Sequence, residues 1–262
     1  MDNNFELSLY QTMVDRAKVD INILGLILAG SRARNLQTTT SDYDIYLIFT
    51  NEIPPEKRKE YDIEFNSLYK PLTLDLTKGL LTLNQFAEYA ALGTPFYFDR
   101  YNLIHGKIEF DKTNGEITKH LKRIEQLSSE EQKEIVHNNL GDYISHVYRS
   151  LKRFENGQLT ASIIHAADSV GYMLTSLFAL YNRVRPFNEY LAWELTKYPL
   201  PDFKYEPQEF TNVLIKIIQE NDMSLQRDLY LHIEDLARQK GFGYKYDEWG
   251  EKLHYIKTAK FS

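Results

Sequence analysis

Short apolar runs separated by polar links dominate the first half of the chain. One run covers Leu24 to Ala29 and ends at Gly30-Ser31, and another is opened by Asp42-Tyr43-Asp44 and runs from Asp42 to Phe49. Apolar runs of this length between turn residues predict two buried strands. The alternating segment Leu72 to Thr77 predicts a third strand, and we assign Ile63 to Leu68 to a further one.

Apolar residues three and four positions apart predict helices around these strands and throughout the second half. Ser128 and Glu131 have the spacing of a capping box, in which two side chains satisfy free backbone N–H groups at the start of a helix. That helix is predicted to end at Asn156-Gly157, a pair suited to a left-handed cap. The next helix is predicted to carry an apolar stripe on Ile163, Ala167, Val170, Leu174 and Leu177. The predicted helices are Phe5 to Lys18, Ser31 to Leu36, Leu83 to Leu92, Ile117 to Ile124, Ser129 to Asn156, Leu159 to Tyr181, Gln208 to Glu220 and Ser224 to Lys240.

This order of elements predicts an α+β fold, with strands and helices in the first half and helices alone in the second. Domains commonly contain about 100 to 150 residues, so a chain of 262 residues has room for two. We place the boundary just before the capping box. The first domain is then 1–126 and the second 127–262.

Composition narrows the possible chemistry. The sequence contains no cysteine, which excludes disulfides and thiolate zinc sites and leaves oxygen ligands and seven histidines for metal binding. Hard cations such as Mg²⁺ fit this set best. The formal net charge of -6 argues against a protein that coats nucleic acid and favours a small partner. We find no apolar run long enough to cross a bilayer, and therefore expect a cytoplasmic protein without membrane contact.

Acidic residues in the first half form the candidate catalytic centre. Alternation along the strand that ends at Phe49 sends Asp42 and Asp44 to the same face. Two neighbouring carboxylates repel each other, and a divalent cation is the natural way to neutralise them. The Gly30-Ser31 turn allows backbone N–H groups and a hydroxyl to approach a phosphate closely. Asp75 lies on the polar face of the predicted third strand.

The Gly30-Ser31 turn, a spacer of ten residues and Asp42-Tyr43-Asp44 before an apolar strand resemble the DNA polymerase beta-like nucleotidyltransferases. The resemblance implies that Gly30 and Ser31 hold the phosphates of a nucleotide and that Asp42 and Asp44 bind Mg²⁺. It also implies a third carboxylate on a neighbouring strand. Asp75 fits that position, and Glu64 is its rival.

One position departs from the pattern of that superfamily. Many members have glycine where this chain has Asn35. Asparagine is among the few other residues that adopt the left-handed conformation readily. The turn is therefore expected to keep its shape.

The second half resembles the helical domain of aminoglycoside-type nucleotidyltransferases. Together the resemblances imply a mixed sheet with flanking helices in 1–126, followed by an all-α bundle in 127–262 that completes the cleft for the acceptor. Basic residues on the first long helix are candidates for binding the leaving pyrophosphate, with a solvated basic face as the alternative: Arg149, Lys152 and Arg153. Arg32 and Arg34 flank the phosphate turn, where phosphate contact and simple exposure are both open interpretations.

The predicted function is Mg²⁺-dependent transfer of a nucleoside monophosphate, in the first place AMP from ATP, to a hydroxyl of a small molecule. An aminoglycoside or lincosamide-like antibiotic is one such acceptor, and pyrophosphate is the second product. Asp42, Asp44 and Asp75 are the predicted catalytic residues and metal ligands, and Asp75 is also a candidate general base. The alternatives are an RNA or protein acceptor, as in tRNA-modifying or toxin-antitoxin relatives, and a non-catalytic nucleotide-binding module.

Two further patterns have more than one interpretation. His165 and Asp168, three apart on a predicted helix, suit metal ligation but also fit a polar flank of the apolar stripe. Arg227 to His232 resembles the Arg-x4-His element of helical ribonucleases that pair with small nucleotidyltransferases as toxins and antitoxins. So short a pattern also arises by chance.

Overall fold

The computed structural model of the chain describes residues 3–94 and 97–259. The chain divides into two units, Met1–Gln126 and Leu127–Ser262. The first combines a sheet with helices and the second is helical, so the protein has an α+β fold. The catalytic and acceptor-binding roles assigned to these two segments stay predictions.

The first unit is built on a mixed sheet. In its described residues the strands are β1 (Ile23–Leu28), β2 (Tyr43–Phe49), β3 (Leu74–Asp75), β4 (Leu80–Thr82) and β5 (Lys107–Asp111). The order along the sheet is β3-β2-β1-β5, and β4 pairs with the last part of β2. β1 runs antiparallel to β2 and β5, whereas β3 and β4 run parallel to β2.

Helices cover both faces of this sheet. They are α1 (Asn3–Val19), α2 (Gly30–Ala33), α3 (Pro55–Leu68), α4 (Leu83–Glu88), α5 (Arg100–Leu103) and α6 (Glu116–Glu125), with short 3-10 turns at Lys70–Leu72 and Tyr97–Asp99. Adjacent residues of β2 belong to two different cores: Leu47 packs with Met13 of α1, and Ile48 with Phe86 of α4. Because both faces are buried, β1 and β2 are mostly apolar, and Asp44 near the start of β2 is the exception.

The predicted strand at Ile63 to Leu68 is wrong, because this segment is the second half of α3. The helix begins at Pro55. Proline is tolerated there because the backbone N–H of the first helical residue makes no hydrogen bond within the helix. Tyr61 and Phe65, one helical turn apart, are buried, whereas Ile63 is 71% exposed. The alternation of apolar residues in this segment therefore does not mark the buried face.

Three other predicted elements are shorter in the structure. The predicted helix Leu83 to Leu92 ends at Glu88, and Ala90 beyond it is left-handed with φ 57°. The predicted strand Leu72 to Thr77 is reduced to β3, because a 3-10 turn precedes it and Thr73 is left-handed with φ 51°. The predicted helix Ser31 to Leu36 is reduced to α2, which ends at Ala33. The third carboxylate candidate, Asp75, lies on the part of the strand that does pair.

The second unit consists of helices in its described residues. They are α7 (Ser129–Glu155), α8 (Leu159–Leu180), α9 (Leu191–Lys197), α10 (Pro207–Gln219), α11 (Met223–Gln239), α12 (Tyr244–Asp247) and α13 (Glu251–Thr258), with a 3-10 turn at Asn188–Tyr190. The predicted capping box is confirmed: the N–H of Glu131 donates to Ser128 Oγ, and the N–H of Ser128 donates to Glu131 Oε2 at 2.7 Å.

Small residues bring α7 and α8 close together. The hydroxyl of Ser150 donates to the carbonyl of Ser162 at 3.1 Å, and the hydroxyl of Ser162 donates to the carbonyl of Ser150 at 3.0 Å. Both side chains are fully buried. The predicted stripe is confirmed from Val170 onward, but Ile163 and Ala167 are exposed, and the first half of α8 buries smaller side chains instead: Ser162, Ala166 and Ser169.

The expectation that no apolar segment could cross a membrane does not hold for α8. By length and composition alone Leu159–Leu180 qualifies, since an 18-residue window within it has a mean hydropathy of 1.3. More than half of that window, 56%, is buried inside the protein. The packing of a core helix accounts for this apolar composition.

Candidate active site

A left-handed glycine forms the turn between β1 and β2. Gly30 has a φ of 64°, and the N–H of Ala29 before it donates to the carbonyl of Asp44 at 2.9 Å. A Cβ atom on Gly30 would lie 1.8 Å from Oδ2 of Asp44. Asn35 is also left-handed, with φ 58°, as predicted from its residue type. The turn is thus in direct contact with a candidate carboxylate.

Strand pairing brings two of the predicted carboxylates together. In the parallel pairing of β2 with β3, Asp44 is the Cα partner of Asp75. Directly paired residues point to the same face of a sheet, so the two side chains share a face. Asp42 was predicted to lie on this strand but precedes it, because β2 begins at Tyr43. Its negative charge still acts on Asp44, as that of Asp75 does. The three predicted carboxylates therefore lie in one region.

The environment of Asp44 disfavours its ionised form. Burial raises the pKa of this carboxyl above its ordinary value, and the neighbouring charges of Asp42 and Asp75 raise it further. The amide of Asn102, which donates to Asp44 Oδ1 at 3.1 Å, and the guanidinium of Arg34 lower it. The net shift is upward, and burial is its largest cause.

A small cavity of about 50 Å³ opens beside these carboxylates. Its lining residues are Asp44, Ile45, Tyr46, Asp75, Lys78, Gly79 and Asn102. The ammonium group of Lys78 lies 2.6 Å from Oδ1 of Asp99, and 47% of the Lys78 side chain is exposed. Burial raises the pKa of the Tyr46 hydroxyl to about 12, so this group is a neutral hydrogen-bonding group at physiological pH.

Arg32 holds the polar link that leads into β2. Its guanidinium donates to the carbonyls of Ser41, at 2.8 Å, and Asp42, at 2.9 Å. It also pairs with the carboxylate of Glu6 at 2.6 Å and lies over the ring of Tyr43. These contacts favour a role in positioning Asp42 over the predicted contact with phosphate.

Arg34 lies inside the first unit and is only 5% exposed. Its guanidinium donates to the carbonyl of Gly30 at 2.6 Å and to those of Tyr101 and Ile104, both at 2.6 Å. Arg34 thereby connects the glycine turn to the segment that carries Asn102. This burial favours a structural role over the predicted phosphate contact.

The three other predicted basic residues belong to the second unit. Arg149, Lys152 and Arg153 are exposed on α7. The Lys152 ammonium donates to the hydroxyl of Tyr148, and the Arg153 guanidinium donates to the side chain of Gln158. Both contacts join residues close in sequence. They favour the alternative interpretation, in which these residues form a solvated basic face of the helix.

The rival residues and weaker patterns have partners of their own. Glu64 is on α3 and forms an ion pair with Arg16, so it is not the residue that pairs with Asp44. Arg227 donates to the carbonyl of Ala259 at 2.5 Å, and the ring of His232 packs against Phe203. Neither contact indicates a ribonuclease centre.

The donor set of the site suits Mg²⁺. This cation binds oxygen ligands and is commonly held by one or two carboxylates together with substrate phosphates. The side chains of Asp42, Asp44 and Asp75 supply such oxygens. A dication there would also neutralise the charges of Asp42 and Asp75, which help to raise the pKa of Asp44.

Sequence reasoning missed two residues of the site, Asn102 and Lys78. Lys78 lies three residues after Asp75, the third candidate carboxylate. This short spacing is a signal in the sequence that could have identified Lys78 as a residue of the site. Asn102 lies on a four-residue helix far along the chain. Nothing in the local pattern around Asn102 links it to Asp44.

A scan of the chain against protein-family models finds no matching family, and a search of curated proteins finds no matching relative.

Proposed function

We propose that this protein is a Mg²⁺-dependent nucleotidyltransferase that moves a nucleoside monophosphate, in the first place AMP from ATP, onto a hydroxyl of a small molecule. The observation that carries the proposal is the pairing of Asp44 with Asp75 on adjacent parallel strands, with Gly30 directly against the Asp44 carboxylate. The acidic cluster and the backbone turn are therefore contiguous. A site that binds a triphosphate and a metal together needs this contiguity.

The carboxylates of Asp42, Asp44 and Asp75 are the groups that would hold Mg²⁺, and the bound cation would neutralise phosphate charge and lower the pKa of a neighbouring hydroxyl. Asn102 fixes the orientation of Asp44 through its hydrogen bond. Arg32 fixes the backbone of Asp42. Asp75 is also the candidate acceptor for the proton of the attacking hydroxyl.

Two features of the first unit suit the phosphates of the nucleotide. Gly30 has no side chain, so the backbone of the Gly30-Ser31 turn is open to close approach by a phosphate. Lys78 lines the same cavity as Asp44 and Asp75 and supplies a positive charge beside them, paired with Asp99. We therefore assign the role of binding the leaving pyrophosphate to Lys78 before Arg149, Lys152 or Arg153.

A small acceptor is preferred because the formal net charge is -6, and a negatively charged protein repels a long polyanion such as RNA. An aminoglycoside or lincosamide-like antibiotic belongs to the class of polyhydroxyl compounds proposed here. A cytoplasmic location, where ATP and Mg²⁺ are available, is part of the same proposal.

The test is a transfer assay with Mg²⁺ and ATP labelled at the α-phosphate, against a panel of small hydroxyl compounds, RNAs and proteins. Pyrophosphate release and label transfer are measured together. We expect transfer to a small compound, and we expect Asp44→Asn and Asp75→Asn each to lower turnover by about 100-fold or more. Glu64→Gln is the matched control, because Glu64 is the rival carboxylate and lies outside the acidic cluster.

Each other outcome has a defined meaning. Full turnover by a folded Asp44→Asn variant refutes the metal assignment. If the label appears only on RNA or only on protein, that macromolecule is the acceptor and the small-molecule proposal is replaced. Nucleotide binding without pyrophosphate release identifies a non-catalytic module, and the lack of both Mg²⁺ and nucleotide binding refutes the proposal as a whole.

A further inference from the structure

The second unit brings together three side chains that sequence reasoning only partly connected. His165 and Asp168 lie on α8, and His146 of α7 meets them. One ligand atom of each residue lies within 4.8 Å of those of the other two. Nδ1 of His146 is 3.3 Å from Nδ1 of His165 and 3.4 Å from Oδ2 of Asp168.

Two of the three separations, those that involve His146 Nδ1, match the spacing of ligands around one tetrahedral cation. Two ligand atoms that each lie about 2.0 to 2.1 Å from a tetrahedral Zn²⁺ are about 3.3 Å apart. Both contacts of His146 Nδ1 are close to this value. Imidazole nitrogens with one carboxylate oxygen suit Zn²⁺ and similar transition metals, whereas Mg²⁺ prefers oxygen ligands alone.

Hydrogen bonding alone explains the cluster less well. Nδ1 of a histidine carries at most one hydrogen, so Nδ1 of His146 cannot donate to both His165 and Asp168 at full strength. The two distances are also longer than the usual 2.9 to 3.0 Å of an N–H···O bond. The ligand atoms of the three side chains each carry a lone pair and converge at this spacing. Coordination of one cation explains this arrangement better than a hydrogen bond does.

The cluster is accessible to an ion. The side chain of Asp168 is 49% exposed, so an ion can reach the three side chains from solvent.

The two helices hold the ligands rigidly. His165 and Asp168 are three apart on α8 and therefore share a face. The reciprocal hydrogen bonds of Ser150 and Ser162 fix the spacing of α7 and α8 close to His146 and His165. The ligands thus come from a scaffold that is already packed without the ion.

We infer that His146, His165 and Asp168 form a binding site for one transition-metal dication of the Zn²⁺ type, separate from the acidic cluster of the first unit. The three side chains leave the fourth position of a tetrahedral ion open to water or to an external ligand. When occupied, the site joins α7 to α8 and stabilises the second unit. This inference does not depend on the proposed transferase activity.

The test is a calorimetric titration of the tag-free full chain with ZnCl₂ in buffer that contains Mg²⁺. It uses an Asp44→Asn background, because the carboxylates of the first unit are a competing site for Zn²⁺. We expect one tight Zn²⁺ per chain. Substitution of a residue that only orients a metal ligand changes metal affinity by roughly 10- to 100-fold. Loss of a ligand itself should have a larger effect, so His146→Ala, His165→Ala and Asp168→Asn are each expected to weaken Zn²⁺ binding by about 100-fold or more.

His254→Ala is the matched control, because His254 is exposed on α13 and belongs to no such cluster among the described residues. Circular dichroism of the metal-free variants verifies that they fold, and Co²⁺ absorption spectra report four-coordinate geometry with nitrogen ligands. Zn²⁺ is expected to raise the thermal midpoint of the background protein but not of the three ligand variants. The inference is overturned if the background protein takes up no Zn²⁺, or if the folded ligand variants bind it as the control does.

Discussion

Asp44 is a carboxylate held where the folded protein disfavours its charge. Its pKa is raised by burial and by the neighbouring charges of Asp42 and Asp75, and the hydrogen bond from Asn102 offsets only part of this effect. Strongly perturbed carboxylates in a cleft are common at functional sites. The metal-free site therefore lowers the stability of the protein.

We predict that Asp44→Asn raises the stability of the metal-free protein at neutral pH. The pKa of Asp44 is higher in the folded than in the unfolded chain, so the folded state holds more protons between the two values, and the free energy of unfolding decreases as the pH rises through that window. Asparagine has a similar shape without the charge. Thermal unfolding followed in EDTA should give a higher midpoint for the variant.

The control is the same comparison of thermal midpoints, wild type against Asp44→Asn in EDTA, at acidic pH. Below the unfolded-state pKa of about 3.9, Asp44 is protonated in both states, and the advantage of the variant should vanish. Saturating Mg²⁺ should reverse the order at neutral pH, because only the wild-type site binds it fully. A variant that is less stable at neutral pH in EDTA would contradict the electrostatic account.

Gly30→Ala is predicted to abolish Mg²⁺ binding as well as to destabilise the turn. The added Cβ would overlap the Asp44 carboxylate, and the left-handed backbone costs a non-glycine residue about 1 to 2 kcal/mol. Gly157→Ala is the matched control, because Gly157 has a φ of 72° and a Cβ added there would meet nothing within 4 Å. Both variants should lose stability through the backbone, and only Gly30→Ala should fail to bind Mg²⁺ in calorimetry.

At the scale of elements, periodicity identified most helices but not every boundary. The apolar residues of α3 alternate over a short stretch, and only the burial of Tyr61 and Phe65 reveals the helical face. Thr73 is left-handed, and β3 is therefore only two residues long. No pattern of side chains in the sequence predicts this backbone conformation. By contrast, the capping box of α7 was predictable because its chemistry depends on residues close in sequence.

The serine contact between α7 and α8 yields a prediction for this pair of helices. Ser150→Ala removes one buried hydroxyl that donates to Ser162 and is expected to lower the free energy of unfolding by about 1 kcal/mol. Ser162→Ala should have a similar effect. Denaturant unfolding of the single and double variants measures the coupling, and additive losses would show that the two hydrogen bonds are independent.

At the scale of the whole molecule, the first unit has its own cores on both faces of the sheet. All members of these two cores lie between Tyr10 and Ile124. We therefore predict that the polypeptide 1–126 folds alone. Scanning calorimetry should give one cooperative transition with an enthalpy of about 90 kcal/mol near 60 °C, from about 0.7 kcal/mol per residue. A broad transition without a heat-absorption peak would contradict this prediction.

Across the chain, residues close in sequence were predictable, whereas most distant partners were not. The pairing of Asp75 with Asp44 is the exception, because the resemblance called for a third carboxylate on a neighbouring strand. The spacing from Gly30 to Asp44 identified the turn and its carboxylates, because these lie on one hairpin. His146 could not be linked to His165 from sequence, since their meeting depends on how α7 packs against α8. Asn102 was missed for the same reason, because its contact with Asp44 joins residues far apart in the chain.

The contact between Gly30 and Asp44 has a consequence for natural variation. One added carbon at position 30 would occupy the space of a carboxylate oxygen, so evolution cannot change this glycine and keep the acidic cluster intact. If the proposed function is right, homologues that retain Asp44 and Asp75 but carry a larger residue at position 30 are expected to lack activity.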